Sequence, residues 1–230
     1  MNRTINLAWT AALACALATG ASAQVAPSDP EAAGYAGLFA AARDGDAAAV
    51  SRLAAAGAKI DARDGYGRTP LHVAAYRRRH EAMRALAAAG ADPNALEHDR
   101  YDIVTIAAVA DDRATLAAAL AIGASARNVT SRYDGTALIA AAHLGHDGIV
   151  ADLIRAGAPL DHVNNLGWTA LIESIVLGDG GTRHTATLAA LVAAGANPNL
   201  PDRGGATPLA LARSRGYANM ATILERAGGR

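Results

Sequence analysis

The residues best suited to chemistry in this sequence are its seven histidines. His143 and His146 are spaced i, i+3, which places two imidazoles on one face if the segment is helical. Neutral imidazole is a common metal ligand, but two rings make a poor site, and a third would have to come from His184 near a neighbouring turn. His80-Glu81 begins like a zinc-protease helix, yet position 84 is Arg where that helix needs its second histidine. The only lysine, Lys59, follows no glycine-rich phosphate loop, and no Gly-x-Ser-x-Gly elbow occurs. Gly178 to Gly181 matches an anion-binding loop only loosely and reads as a flexible turn. Arg77-Arg78-Arg79-His80 is the only basic run and reads as a solvated helix end. No catalytic cluster, metal site or cofactor is expected, and the chain reads as non-enzymatic.

Composition points the same way. The 230 residues are 52% hydrophobic and only 4% aromatic, with 21 basic and 21 acidic groups. Charge neutrality removes the footprint of a nucleic-acid binder. The apolar content is small and aliphatic, and alanine-rich runs favour helix. Residues 1–23 read as a signal peptide: Arg3, an uncharged stretch from Leu7 to Thr19, and a small-residue site at Ala21-Ser22-Ala23. The apolar run is shorter than the ~20 residues that span a membrane, so no stable membrane insertion is expected after cleavage. Cleavage after Ala23 would deliver a periplasmic or secreted protein, starting at Gln24, that has lost its single cysteine, Cys15, as suits an oxidising compartment. Ala12-Leu13-Ala14-Cys15 is a weak match to a lipidation box. Residues 24–33, with two prolines, read as an extended, disordered leader.

The remainder repeats. Leu38, Leu71, Val104, Leu138, Leu171 and Leu209 recur at 33, 33, 34, 33 and 38 residues, and Gly57, Gly90, Gly123, Gly157, Gly195 and Gly228 at 33, 33, 34, 38 and 33. Two markers with one period indicate a solenoid or array. Thr69, Asp102, Thr136, Thr169 and Thr207 stand two residues before an anchor and read as N-caps. Pro70 and Pro208 follow at the first helical position, where a missing N–H costs nothing. Small residues such as Ala74-Ala75, Ala107-Ala108 and Ala141-Ala142 let helices approach closely. Turns are expected at Gly45, Gly145 and Gly216, helix stops at the recurring glycines, and polar fingers before each new cap.

On these residues the sequence resembles the ankyrin repeat family. Thr69-Pro70-Leu71-His72-Val73-Ala74-Ala75 is close to that family's hallmark, and Gly145-His146 and Ala89-Gly90-Ala91-Asp92-Pro93-Asn94 match its other signatures. The resemblance covers residues 34–230 and implies an all-α solenoid of six helix-turn-helix units, at about 34–66, 67–100, 101–134, 135–167, 168–205 and 206–230, with hairpin-like fingers. It gives His72 and His146 structural positions. His98 and His162 fall in fingers and read as solvated. The first unit (Ala36-Gly37-Leu38-Phe39) and the last (ending Gly228-Gly229-Arg230) read as caps. The finger between Gly123 and Thr136 is one residue longer, and five extra residues around 178–184 are expected to loop out. Asn128-Val129-Thr130 is a glycosylation sequon, meaningful only in a glycosylating host.

Ankyrin proteins typically bind other proteins on the concave face made by inner helices and finger tips. One candidate row there is aromatic: Tyr66, Tyr101, Tyr133 and Trp168 on four successive fingers, residue types enriched at binding hot spots. Each could equally brace its own finger. The second row closes the inner helices, with Tyr76, Arg77, Val109, His143, Val176 and Arg215 as candidates; it is polar at its ends and apolar between, the layout of an interface. The expectation is a monomeric binding module for an unidentified protein, with an envelope immunity or protective role as the alternative and a histidine metal site using His143, His146 and His184 as a lesser one.

Overall fold

The computed structural model describes residues 24–230; the expected signal peptide lies outside the described residues. Thirteen helices among them form six antiparallel pairs preceded by one short helix. The short helix α1 spans Asp29–Ala33. The inner helices are α2 (Gly37–Asp44), α4 (Pro70–Tyr76), α6 (Ile103–Val109), α8 (Ala137–His143), α10 (Ala170–Val176) and α12 (Pro208–Ser214). The outer helices are α3 (Ala47–Ala55), α5 (His80–Ala88), α7 (Arg113–Ala121), α9 (Asp147–Arg155), α11 (Thr182–Ala193) and α13 (Ala218–Arg226). Each inner helix packs on its own outer helix and on the inner helix of the next unit. The fold is an all-α ankyrin-type solenoid.

Local chemistry starts and stops these helices. Thr69, Asp102, Thr136, Thr169 and Thr207 each accept the backbone N–H three residues on, at the first turn of an inner helix. Asp46 and Asp112 do the same for two outer helices. The six recurring stop glycines have φ between +79° and +96°, the left-handed backbone that only glycine adopts without strain. Burial follows the period: Leu71, Val104, Leu138 and Leu171 are at most 1% exposed, and one core runs from Leu38 to Leu224. A single pair could not bury this face, so each unit supplies its neighbour's core.

Two expectations need correction. Residues 24–33 are not a disordered leader. Ser28 and Glu31 form a capping box that starts α1, Pro27 and Ala32 are buried, and three arginines hold the segment down. Arg68 donates to the Val25 carbonyl at 2.9 Å and pairs with Glu31, Arg77 donates to the Pro27 carbonyl and pairs with Asp29, and Arg43 donates to the Ala32 carbonyl. The extra residues near 178–184 do not loop out either. From Thr182 they lengthen α11 to 12 residues, against nine in the other outer helices of the middle repeats. Arg183 bridges back to Asp147 and Asp111, His184 donates to or accepts from Asp179 and meets the His143 carbonyl at 2.9 Å, and Tyr217 donates to the Gly178 carbonyl. These long-range bonds outweigh the chain entropy that would favour a free loop.

A candidate binding cleft on the concave face

Fingers set one wall of the site. In four of them a polar side chain turns the backbone by accepting N–H groups two or four residues on: Asp64 from Tyr66 and Arg68, Glu97 from Asp99 and Tyr101, Asn164 from Leu166 and Trp168, and Asp202 from Ala206. The longer finger closes instead as a two-residue hairpin, with β1 (Val129–Thr130) paired antiparallel to β2 (Gly135–Thr136). Successive fingers are joined by backbone bonds: His98 N to the Tyr66 carbonyl, Ser131 N to Arg100, and Asn165 N to Tyr133, at 2.9–3.0 Å. Ion pairs Arg100–Asp134 and Arg132–Asp99 add to the same joints.

Between these fingers and the ends of four inner helices lies a cleft of about 600 Å³, within the range of ligand sites. Tyr76, Val109, His143 and Leu177 bring the helix row to it, and Tyr101, Tyr133 and Leu166 bring the fingers. Ile106 and Ile139 form its apolar floor, and Gln24 and Ala26 of the N-terminal segment complete one end. The Tyr76 hydroxyl and the Gln24 amide nitrogen are buried with no hydrogen-bond partner among the described residues.

The candidate residues therefore separate. Tyr76, Tyr101, Val109, Tyr133 and His143 line the cleft. Tyr66 is 45% exposed but stands outside it, its ring 4.5 Å from the Arg68 guanidinium. Trp168 is half-buried and also outside, as is Val176, whose place is taken by Leu177. Arg77 is occupied with Pro27 and Asp29, leaving Arg78 to face the cleft, and Arg215 is exposed beyond its end. Tyr101 is 4% exposed, so it braces the stack as well as facing the cleft, and burial pushes its hydroxyl up to about 12. His162, expected to be solvated, meets the Asp134 carbonyl at 2.6 Å and joins two fingers.

The residue that sequence reasoning missed is Glu173. It sits in α10, in the sequence ALIESIV, and is 4% exposed. The repeat register places Val73, Ile106, Ala140 and Leu211 at the same position, so a lone carboxylate in an apolar series was the available signal. Its Oε1 accepts from Asn164 Nδ2 at 2.8 Å and its Oε2 stands 3.4 Å from His143 Nδ1. Burial raises its carboxyl to about 7, opposed only by the Asn164 bond. The His143 ring is held below the usual histidine range by burial, then by the neighbouring His184 and His146.

The three histidines weighed as metal ligands do not act as a set. His146 Nδ1 meets the Ala108 carbonyl at 2.8 Å, and both His184 nitrogens are engaged, with Asp179 and the His143 carbonyl. Among the described residues, no group of three or more His, Cys, Asp or Glu could hold a metal ion. His72 is structural, its ring linking the Thr69 cap to the Tyr101 carbonyl of the next repeat. No helix among the described residues is long and apolar enough to cross a membrane.

A stack of capped helix pairs with left-handed glycine stops and cross-bonded fingers defines a repeat protein of the ankyrin class. The comparisons with known proteins agree: a model of three ankyrin repeats matches residues 10–97, and a single ankyrin repeat model matches residues 133–165. The chain belongs to the ankyrin repeat family. It is 35% identical to YahD of Escherichia coli (strain K12) over 189 residues, 82% of this chain and 94% of that protein. The crystal structure of an ankyrin repeat domain from Acinetobacter baumannii AYE matches with a TM-score of 0.78 and 42% identity, over 84% of this chain and 98% of the other. The ankyrin repeat domain of Bcl-3, a member of the IkappaB protein family, matches with a TM-score of 0.76 and 28% identity, over 86% and 88%. Ankyrin repeats are generally modules for protein–protein interaction.

Proposed function

We propose that this protein is a non-catalytic, monomeric binding module that docks another protein in the cleft over α4, α6, α8 and α10. The observation that carries the reading is the cleft itself, about 600 Å³ with apolar walls from Ile106, Val109, Ile139 and Leu177. An apolar centre between polar ends is how protein interfaces are laid out. Cross-bonded fingers and capped helices hold this surface in shape before a partner arrives, so few degrees of freedom are lost on binding.

The module acts outside the cytoplasm, on the strength of Arg3, the uncharged stretch Leu7 to Thr19 and Ala21-Ser22-Ala23. Mass measurement of protein recovered from the envelope or medium tests this: a chain starting at Gln24 supports export, and a chain retaining Met1 refutes it.

Binding is tested by affinity capture from the same fractions with the wild type and with V109R/L144R. Both side chains line the cleft and are at least partly exposed, so the change fills the cleft without entering the core. A protein retained by the wild type and lost by the variant, at unchanged helicity, supports the cleft. Equal retention moves binding elsewhere.

A further inference from the structure

Deepening the reading above, on which it rests, the cleft carries its own description of the segment that fits it. Glu173 is a carboxylate set into an apolar wall with one firm hydrogen bond, from Asn164 Nδ2 at 2.8 Å. Asn164 cannot turn away, because its Oδ1 is fixed by the Leu166 and Trp168 amides. The second carboxylate oxygen has only His143 Nδ1, at 3.4 Å. The other charges on the cleft wall, Arg78 and Asp112, satisfy each other at 3.0 Å. One acidic group is thus left without a countercharge, and a buried carboxylate is costly until a cation pairs with it.

The shape of the ligand is also on the page. The cleft runs across four inner helices. Neighbouring helices pack at about 8–10 Å, so its length is about 25–30 Å, or about eight residues of extended chain at ~3.3 Å each. A compact small molecule would fill one end only. The protein already seats an extended segment there: residues 24–28 are not helical, Gln24 and Ala26 lie on the cleft wall, and Arg68 and Arg77 take the carbonyls of Val25 and Pro27.

We infer that the cleft receives an extended, mainly apolar segment of a partner protein carrying one lysine or arginine, whose cationic head pairs with Glu173. The apolar side chains of that segment lie on Ile106, Val109, Ile139 and Leu144. The Asn164 amide keeps one carboxylate oxygen occupied, so the other is presented to the incoming cation.

The test is selection of twelve-residue peptides from a random display library on the purified protein, in parallel with Glu173→Gln. Glutamine keeps the size of the side chain and an oxygen for Asn164. The wild type is expected to retain apolar peptides with a lysine or arginine at one fixed position, and the variant to lose that preference. In a selected peptide made synthetically, replacing the lysine by norleucine should weaken binding to the wild type about tenfold or more, with little change against the variant. Should the glutamine variant fail to fold, Glu173→Val, which restores the residue type of the second repeat, serves in the same cycle. Selected peptides with no basic preference, or an equal norleucine loss on both proteins, overturn this inference and leave the cleft reading standing. No retained peptide at all overturns both.

Discussion

The buried carboxylate makes a prediction about stability that needs no partner. Glu173 ionises near 4.5 when exposed and at about 7 in the fold. Between those values the folded chain holds a proton that the unfolded chain has released. Folding stability from this group is therefore complete below pH 4.5 and is lost as the pH rises through about 7. The gap corresponds to about 3 kcal/mol. Glu173→Gln is neutral at every pH and keeps an acceptor for Asn164, so it lacks this loss. The difference in unfolding free energy, variant minus wild type, should rise by about 3 kcal/mol between pH 4.5 and pH 8. In a chain of this size that is roughly 6–12 °C in melting temperature. Taking the difference at each pH cancels the other titrating groups, which both proteins share. Urea unfolding followed by circular dichroism at five pH values measures it. A difference that stays flat across the range would mean that Glu173 is ionised at no cost, and the buried-carboxylate reasoning would be refuted.

Three further outcomes follow from packing and caps. Leu138→Ala, at an anchor with no exposure, should cost about 2–5 kcal/mol in denaturant unfolding; a loss under half a kcal/mol would contradict the anchor role. Asp102→Ala removes the cap of α6 together with bonds to Thr105 and Asn128, so the loss should fall at the upper end of about 0.5–2 kcal/mol, whereas Tyr66→Ala, on an exposed ring, should change stability by less than about 0.5 kcal/mol. Arg68→Met leaves Asp64 and Glu31 without their shared cation, so limited proteolysis should cut within residues 24–33 much faster than in the wild type, and equal rates would show that the segment is held by other contacts.

Much of the solenoid was legible because its signals are local and repeated. A threonine or aspartate two residues before a leucine fixes a helix start within a single turn, and a glycine with positive φ fixes its end; neither depends on distant residues. The cleft was half legible for the opposite reason. Tyr66 and Tyr101 hold the same register, yet one is 45% exposed and the other 4%, because exposure is decided by what the neighbouring repeats place over each finger. The N-terminal segment misled through its composition: two prolines and few apolar residues offer little to bury, and its order comes from Arg43, Arg68 and Arg77, contributed from positions up to fifty residues away. The insertion misled similarly, since nothing near Thr182 announces that Asp111 and Asp147 will meet Arg183. Glu173 was visible as a charge in an apolar helix, but attention to helix ends and finger tips passes over a helix centre.

Charge neutrality takes on a different meaning once the pairs are placed. Arg100–Asp134, Arg132–Asp99, Arg113–Asp152 and Arg183–Asp147 each join one repeat to the next. Such exposed pairs contribute little stability singly, but they consume charge that would otherwise sit on the surface as a patch. Long-range steering of a partner is correspondingly weak, and discrimination has to arise at close range. That is where a carboxylate enclosed by apolar walls is effective: it rejects a partner that buries a neutral or acidic group against it, at a cost larger than any gain from the apolar walls nearby. The balance of 21 basic and 21 acidic groups therefore places selectivity in the cleft, at Glu173, rather than in the field around the molecule.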